Sequence, residues 1–400
     1  MTLSLQQLIK IFRDNIEVAN RVKNLIEKYT EKLVEKGLAR VKIMNFCGTH
    51  EWTTVHYGIR SLLPPEIELV AGPGCPVCIT PSKYIEEAIR LSLEGVLIYV
   101  FGDAYRLPTV TRVNGAASLS EAKALGGEIE IVYSFLDAIK HFRENKTKVD
   151  EAVFLGIGFE TTAPSYAVPI FNKMVPEGLY LLSVLRLTPP AADYALSAVI
   201  ERGLEPVNGI IAPGHVSTII GAAPWDEVSR KYGIPTVVSG FEPTDLLLSI
   251  AMILKMIYEE RTGVEVEYKR IVRYMGNEQA LEYMYNVFYK HEASWRGIGF
   301  IPDSGLKLKD EYIGYDAYTR FGIKEPKKDS WVDDLHPSCK CAEVVLGLKK
   351  PVDCSLFLKA CTPERPMGPC MVSLEGTCAV WARFGGGGKA DEIARSLGLG

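Results

Sequence analysis

The chain has 400 residues, 47% of them hydrophobic and 24% charged, with 45 Lys and Arg against 49 Asp and Glu for a net charge of −4. That balance gives no electrostatic footing for nucleic acid, which calls for a basic excess or stripe, and the composition is too apolar for a disordered chain. At on the order of 150 residues per folding unit, the length suggests two or three domains.

Met1 to Asn15 mixes polar and apolar residues, without the basic start and apolar core of a signal peptide. Within Leu3–Lys36, Leu8, Ile9, Phe12, Ile16, Val22, Leu25 and Ile26 lie near helical spacing. After Gly37, short apolar runs alternate with helical stretches. Strands are expected at Val41–Phe46, Ile67–Val70, Gly95–Phe101 and Ile129–Tyr133, with helices at Ser82–Glu94, Leu119–Leu125 and Phe135–Glu144. The pattern then restarts. Strands at Glu151–Ile157, Gly178–Leu185, Gly209–Ala212 and Thr236–Ser239 alternate with helices at Tyr166–Met174, Pro190–Glu201 and Thr244–Arg261. Such alternation argues for parallel sheets with helices on their faces. The expected organisation is an α/β domain over residues 1–147, a second over 148–263, the two facing a cleft, and a loop-rich, mostly helical domain over 264–400. Gly385–Gly388 reads as a flexible joint before a short terminal helix. The longest apolar stretch, Leu246 to Tyr258, is too short to span a bilayer and contains Lys255. A soluble, cytoplasmic protein without membrane association is expected.

Nine cysteines, an odd number in a chain long enough for a large core, argue against a structural disulfide framework. They fall into two groups: Cys47, Cys75 and Cys78, then Cys339, Cys341, Cys354, Cys361, Cys370 and Cys378. Cys47 and His50 stand at the end of the first expected strand, where parallel sheets bind ligands. Alone, that pair reads better as an inert cysteine beside a surface histidine. The C-x-x-C of Gly72-Pro73-Gly74-Cys75-Pro76-Val77-Cys78 changes the balance. It stands at another strand end, leading toward a helix whose amides lower thiol pKa values. Cys75 and Cys78 suit a reversible disulfide or, with Cys47 among the candidates, ligands to one metal; half of a structural zinc site would want a second pair nearby, and none follows in this domain, so a redox or catalytic pair is favoured. Phe101-Gly102-Asp103, Gly156 to Pro164, Pro213 to Ser217 and Gly240 to Asp245 are further polar loops after apolar strands. Each alone could be a turn with a helix cap; together they suggest the lining of one cleft. The G-x-G of Gly156–Gly158 lacks the third glycine of a dinucleotide fingerprint. In the C-terminal group, Cys339, Cys354, Cys361 and Cys378 are separated by fourteen, six and sixteen residues. This is too irregular for a zinc ribbon and suits an iron–sulfur cube better, with zinc the alternative.

In this order, CGTHE, GPGCPVC, FGD, GFETTAP, PGHVS, GFEPTD, WRGIGFIPDSG (Trp295 to Gly305) and the cysteine tail through GPCMVSLEGTC resemble the HypD family of hydrogenase maturation proteins, over about residues 41–381. The resemblance implies a redox-active assembly scaffold for the Fe(CN)2CO unit of nickel–iron hydrogenases, rather than a simple turnover enzyme. It implies a small HypC-type chaperone and a HypE-type cyanide donor as partners, and one [4Fe–4S] cluster. Cys47 then matches the iron-site cysteine, sharing the iron with a cysteine of the small partner, and Cys75 and Cys78 match the redox pair beside it. His50 and Asp103 match polar positions of the cleft, Cys339, Cys354, Cys361 and Cys378 the cluster ligands, and Cys341 and Cys370 a second redox pair. Two features depart from the family pattern. Trp52 stands where many members carry a second histidine, and Pro108–Ala117 is unlike the more compact segment usual there. A cluster-fed thiol–disulfide oxidoreductase working through Cys75 and Cys78 is the rival reading, and a protein with purely structural zinc the third.

Overall fold

A computed structural model describes residues 16–145, 149–331 and 334–385. Among these residues eleven strands follow in chain order: β1 (Val41–Asn45), β2 (Ile67–Ala71), β3 (Leu97–Val100), β4 (Ile129–Ile131), β5 (Ala152–Gly158), β6 (Leu179–Leu185), β7 (Gly209–Pro213), β8 (Thr236–Ser239), β9 (Val264–Val266), β10 (Phe288–Trp295) and β11 (Gly299–Leu308). They form a five-stranded sheet of order β2-β1-β7-β8-β9, a four-stranded sheet of order β4-β3-β5-β6, and the hairpin β10-β11. All pairings within the two larger sheets are parallel, and the hairpin is antiparallel.

These segments are strands because they are short apolar runs with side chains buried on both faces, as a helix-covered parallel sheet requires. All seven residues of β5 are buried. Its Ala152 and Phe154 join one apolar cluster while Val153, Leu155 and Ile157 join another, the period of two expected of a strand. The five-stranded sheet divides likewise. Ile43, Leu69, Ile211 and Val237 meet the helices Ile16–Glu35 and Pro243–Tyr258, whereas Met44, Val70, Ile210 and Val238 share the opposite cluster with Trp225 and Trp295. Among the described residues no helix is long and apolar enough to cross a membrane.

The sheets are interleaved in sequence. The chain leaves the five-stranded sheet after β2, builds all of the other sheet, and returns at β7, which pairs beside β1. The expected boundary after residue 147 therefore falls inside the four-stranded sheet, between β4 and β5. Alternation alone cannot reveal this, because local pattern specifies strands and not their partners. The C-terminal segment carries short helices, as expected, but its first element is β9, the edge strand of the five-stranded sheet, so the expected boundary after residue 263 also cuts a sheet; pattern did not single out β9, the helix Glu278–Val287 or the hairpin. The expected helix before residue 16 and the joint and helix after Gly385 lie outside the described residues.

Candidate functional site

In parallel sheets ligands gather where neighbouring strands send their connections in opposite directions, beyond the strand C-termini. In the five-stranded sheet this crevice lies between β1 and β7. Cys47 follows β1 and His215 follows β7, and both line a cavity of about 330 Å³ together with Gly74, Phe159, Thr161 and Glu375. Phe159 and Thr161 come from the loop after β5 of the other sheet, so the cavity lies between the two sheets.

Cys47 has extended backbone at the N-terminus of the helix Gly48–His56. Burial, with the Glu375 carboxylate adding to it, pushes its thiol up to about 12; the backbone amides of His50 and Thr49 and the Thr49 hydroxyl bond the sulfur and act in the opposite sense. The group is therefore a neutral thiol, its sulfur held in place by those amides. The C-x-x-C loop presses against it. A Cβ on Gly74 would lie 2.6 Å from the Cys47 nitrogen, so only glycine allows that approach. Cys75 and Cys78 are both buried and joined as a disulfide, with Cα atoms 5.3 Å apart.

His50 is fully buried and stands outside the cavity lining. Its Nε2 donates to the Gly240 carbonyl at 2.9 Å, its ring stacks on Phe241 at 4.7 Å, and burial pushes it down to about 3, so it stays neutral. The same Phe241 stacks on His215 at 3.7 Å, which makes His215 the histidine presented to the cavity and His50 part of its support. The Gly240 amide is held in turn by Glu267 at 3.0 Å. Asp103 also lies outside the lining, and accepts a hydrogen bond from Ser373 at 2.8 Å. Trp52 stacks on His56 at 4.4 Å and meets Phe384 edge-on, so its position serves packing against the C-terminal helix. Glu51, 1% exposed, accepts bonds from Arg60 and from Trp381 Nε1, tying the same two helices together.

Residues 370–378 form a strap across the site. Ser373 bonds Asp103, the Thr49 hydroxyl donates to Glu375 at 3.2 Å, and Gly376 lies so close to both cysteine groups that a Cβ there would sit 3.1 Å from the Cys78 sulfur and 2.2 Å from the Cys370 carbonyl. A Cβ on Gly48 would stand 2.2 Å from the Glu375 carbonyl. Gly48→Ala should therefore displace the strap and destabilise the fold by about 1–3 kcal/mol, as overpacking does. Denaturant titration checks the loss, and increased alkylation of Cys47 checks the displacement.

At the strap's two ends the C-terminal cysteines converge. The sulfurs of Cys341, Cys370 and Cys378 all lie within 4.8 Å of one another, a group able to hold a metal ion. The thiols of Cys341 and Cys378 and the Cys378 amide direct hydrogen bonds at Cys370, which holds it well below the ordinary thiol range. A Cβ on Gly368 would lie 2.6 Å from the Cys339 sulfur and 2.7 Å from that of Cys341, and the Met367 amide bonds Cys361 at 3.3 Å. The Cys354 thiol reaches the Ser338 carbonyl at 3.8 Å, one residue before Cys339. The six thiols thus occupy one neighbourhood. Its tightest three combine Cys378, an expected cluster ligand, with the expected second pair Cys341 and Cys370. The soft, convergent donor set fits an iron–sulfur group.

Sequence reasoning singled out the motifs holding His215, Thr161 and Glu375 without assigning those residues to the site. Glu375 is the one acid of GPCMVSLEGTC, but only the folded strap brings it to the cavity. Glu160, next to Thr161, is 1% exposed and receives the amide and hydroxyl of Thr188; burial pushes it up to about 7. Because the folded state holds this proton more tightly than the unfolded chain, stability present in acid is lost as pH rises through 7. Between pH 5.5 and 8, Glu160→Gln should lose about 2 kcal/mol less stability than the parent. Denaturant midpoints at the two pH values check this.

Residues 19–385 match a family model described as HypD, hydrogenase formation hypA family. The chain is 40% identical to hydrogenase maturation factor HypD2 of Bradyrhizobium diazoefficiens, covering 90% of this chain and 96% of that protein. It is 40% identical to hydrogenase maturation factor HypD of Rhodobacter capsulatus, over 88% and 91% of the two chains. A putative hydrogenase expression/formation protein of Methanocaldococcus jannaschii is 39% identical, over 92% and 99%.

Proposed function

The chain belongs to the HypD family of hydrogenase maturation factors, and within that role we propose that it is the scaffold on which the Fe(CN)2CO unit of nickel–iron hydrogenase is assembled. The observation that carries this reading is the strap, in which Glu375 lines the cavity of Cys47 while the adjoining Gly376 packs between Cys78 and Cys370. In this reading the iron fragment is cargo. Cys47 supplies one thiolate to it, losing its proton on binding, and the amides of Thr49 and His50 hold the sulfur in place. A small HypC-type chaperone closes the cavity and supplies the second thiolate, and a HypE-type protein donates cyanide. Low-spin iron carrying cyanide and CO is soft enough to favour such ligands.

Cys339, Cys354, Cys361 and Cys378 are the proposed holders of a [4Fe–4S] cluster, which when bound supplies single electrons. Cys341 and Cys370 form the second dithiol, and Cys75 and Cys78 the dithiol nearest the iron. The strap holds Cys78 against Gly376, and Asp103 and Thr49 anchor the strap, so these side chains keep the dithiols in register. A turnover assay separates this from the oxidoreductase reading. Alone, with a reductant and a protein disulfide substrate, the scaffold should show no sustained reduction. Steady turnover without a partner would favour the oxidoreductase.

A further inference from the structure

A second cavity, of about 580 Å³, shares no lining residue with that of Cys47. It lies where the segment after β3, including the unusual stretch Pro108–Ala117, faces the turn between β10 and β11 and the C-terminal segment. Arg106, Thr109, Arg112, Arg296, His336 and Arg365 are part of its wall. Four arginines thus line one space together with Glu121 and Glu364, and Arg106 donates to the Glu364 carbonyl at 2.7 Å. The Glu121 carboxylate accepts from Arg112 at 2.9 Å and from the Ala117 amide at 3.0 Å.

Arg296 is the decisive member. It is 3% exposed, and its Nε donates to the Asp334 carbonyl at 2.7 Å with the Asp334 carboxylate 3.9 Å away. Its Nη1 is buried and has no partner among the described residues, and the same holds for the Thr109 hydroxyl. A buried guanidinium donor left unpaired is costly, and natural structures keep one only where something else satisfies it. The loop carrying Thr109 is fixed rather than loose. The Thr109 amide bonds Ala117, the Val110 amide bonds Ser82, and Asn114 and Gly115 take left-handed backbone to make the turn.

We propose that this cavity binds a phosphate-type oxyanion, held by Arg296 and Thr109 at its base and by Arg106, Arg112 and Arg365 around it. The donors come from three separate segments. A planar carboxylate offers two oxygens and meets one fork well, whereas a tetrahedral phosphate offers three or four and can meet several walls at once. The ion is either free inorganic phosphate or the phosphoryl group of a small metabolite, and both present the same oxygens.

Calorimetric titration of the full chain at low ionic strength tests this, with inorganic phosphate in one arm, glycerol 2-phosphate in a second and acetate in a third. Saturable one-to-one binding in either phosphate arm, at least tenfold tighter than acetate, supports the site; tighter binding of the ester assigns it to a phosphorylated metabolite, and of the free ion to phosphate itself. Arg106→Gln combined with Arg112→Gln, both at exposed positions, should weaken binding at least tenfold with unchanged circular dichroism. Absence of saturable binding in both phosphate arms, equal affinity for acetate, or binding indifferent to the double substitution would overturn the proposal.

Discussion

Cys47→Ser is expected to abolish the infrared bands of metal-bound CO and cyanide in the complex with the proposed HypC-type partner, while leaving the visible absorption of the proposed iron–sulfur group unchanged. Serine keeps the shape of the side chain and removes the soft donor, and an alcohol is a poor ligand for low-spin iron. The fold should survive the change. Cys47 is the cap residue of the helix Gly48–His56, and the amides of Thr49 and His50 that bond its sulfur can bond a serine oxygen in its place. Serine is among the preferred caps, worth roughly 0.5–2 kcal/mol over alanine, so stability should be held or slightly raised. Loss of the bands would then report ligation and not unfolding. Persistence of both bands in the mutant would remove Cys47 from the iron site.

The second large effect is expected from Cys378→Ala. This thiol belongs both to the four expected cluster ligands and to the three sulfurs that converge within 4.8 Å. Bound iron and acid-labile sulfide should fall several-fold below the parent. The C-terminal helix Thr377–Phe384 should loosen as well, because metal binding is coupled to local folding. The bond from Trp381 to Glu51, at 2.6 Å, carries that loosening toward the helix of Cys47, so exchange of the Trp381 indole proton should rise with it. A full cluster in this mutant would refute the assignment. Cys354→Ala and Cys370→Ala then divide the remaining thiols. Iron lost from the first and kept by the second supports the ligand set carried by the family pattern. The reverse makes Cys370 a ligand in place of Cys354.

Much of this arrangement was legible from residue order alone, because apolar runs and the polar loops behind them are local features. Val41–Phe46 and Gly95–Phe101 announced β1 and β3 within one or two residues, and each cavity loop was found at a strand end. The pairing of β1 with β7 was not legible. It joins Ile43 to Gly209 across a whole intervening sheet, and nothing in either strand names its partner. The hairpin escaped notice because β10 is half solvated: Tyr289, Lys290 and Glu292 point outward and break the apolar run. At the site, sequence spacing brought His50 forward as a companion of Cys47. The first helical turn instead directs its ring into the core against Phe241, and the cavity receives His215 from a strand far along the chain. Glu375 was hidden for the same reason, since only the folded strap brings it to Thr49. Residue types located the chemistry; the long-range pairings decided which side chains reach it.

The proposed scaffold role is tested most directly by the infrared spectrum of the unaltered protein, purified without oxygen together with the proposed small HypC-type partner. The account predicts bands for metal-bound CO and cyanide that travel with the complex and vanish when the partner is omitted. A complex with its full complement of iron and sulfide but neither band would contradict it.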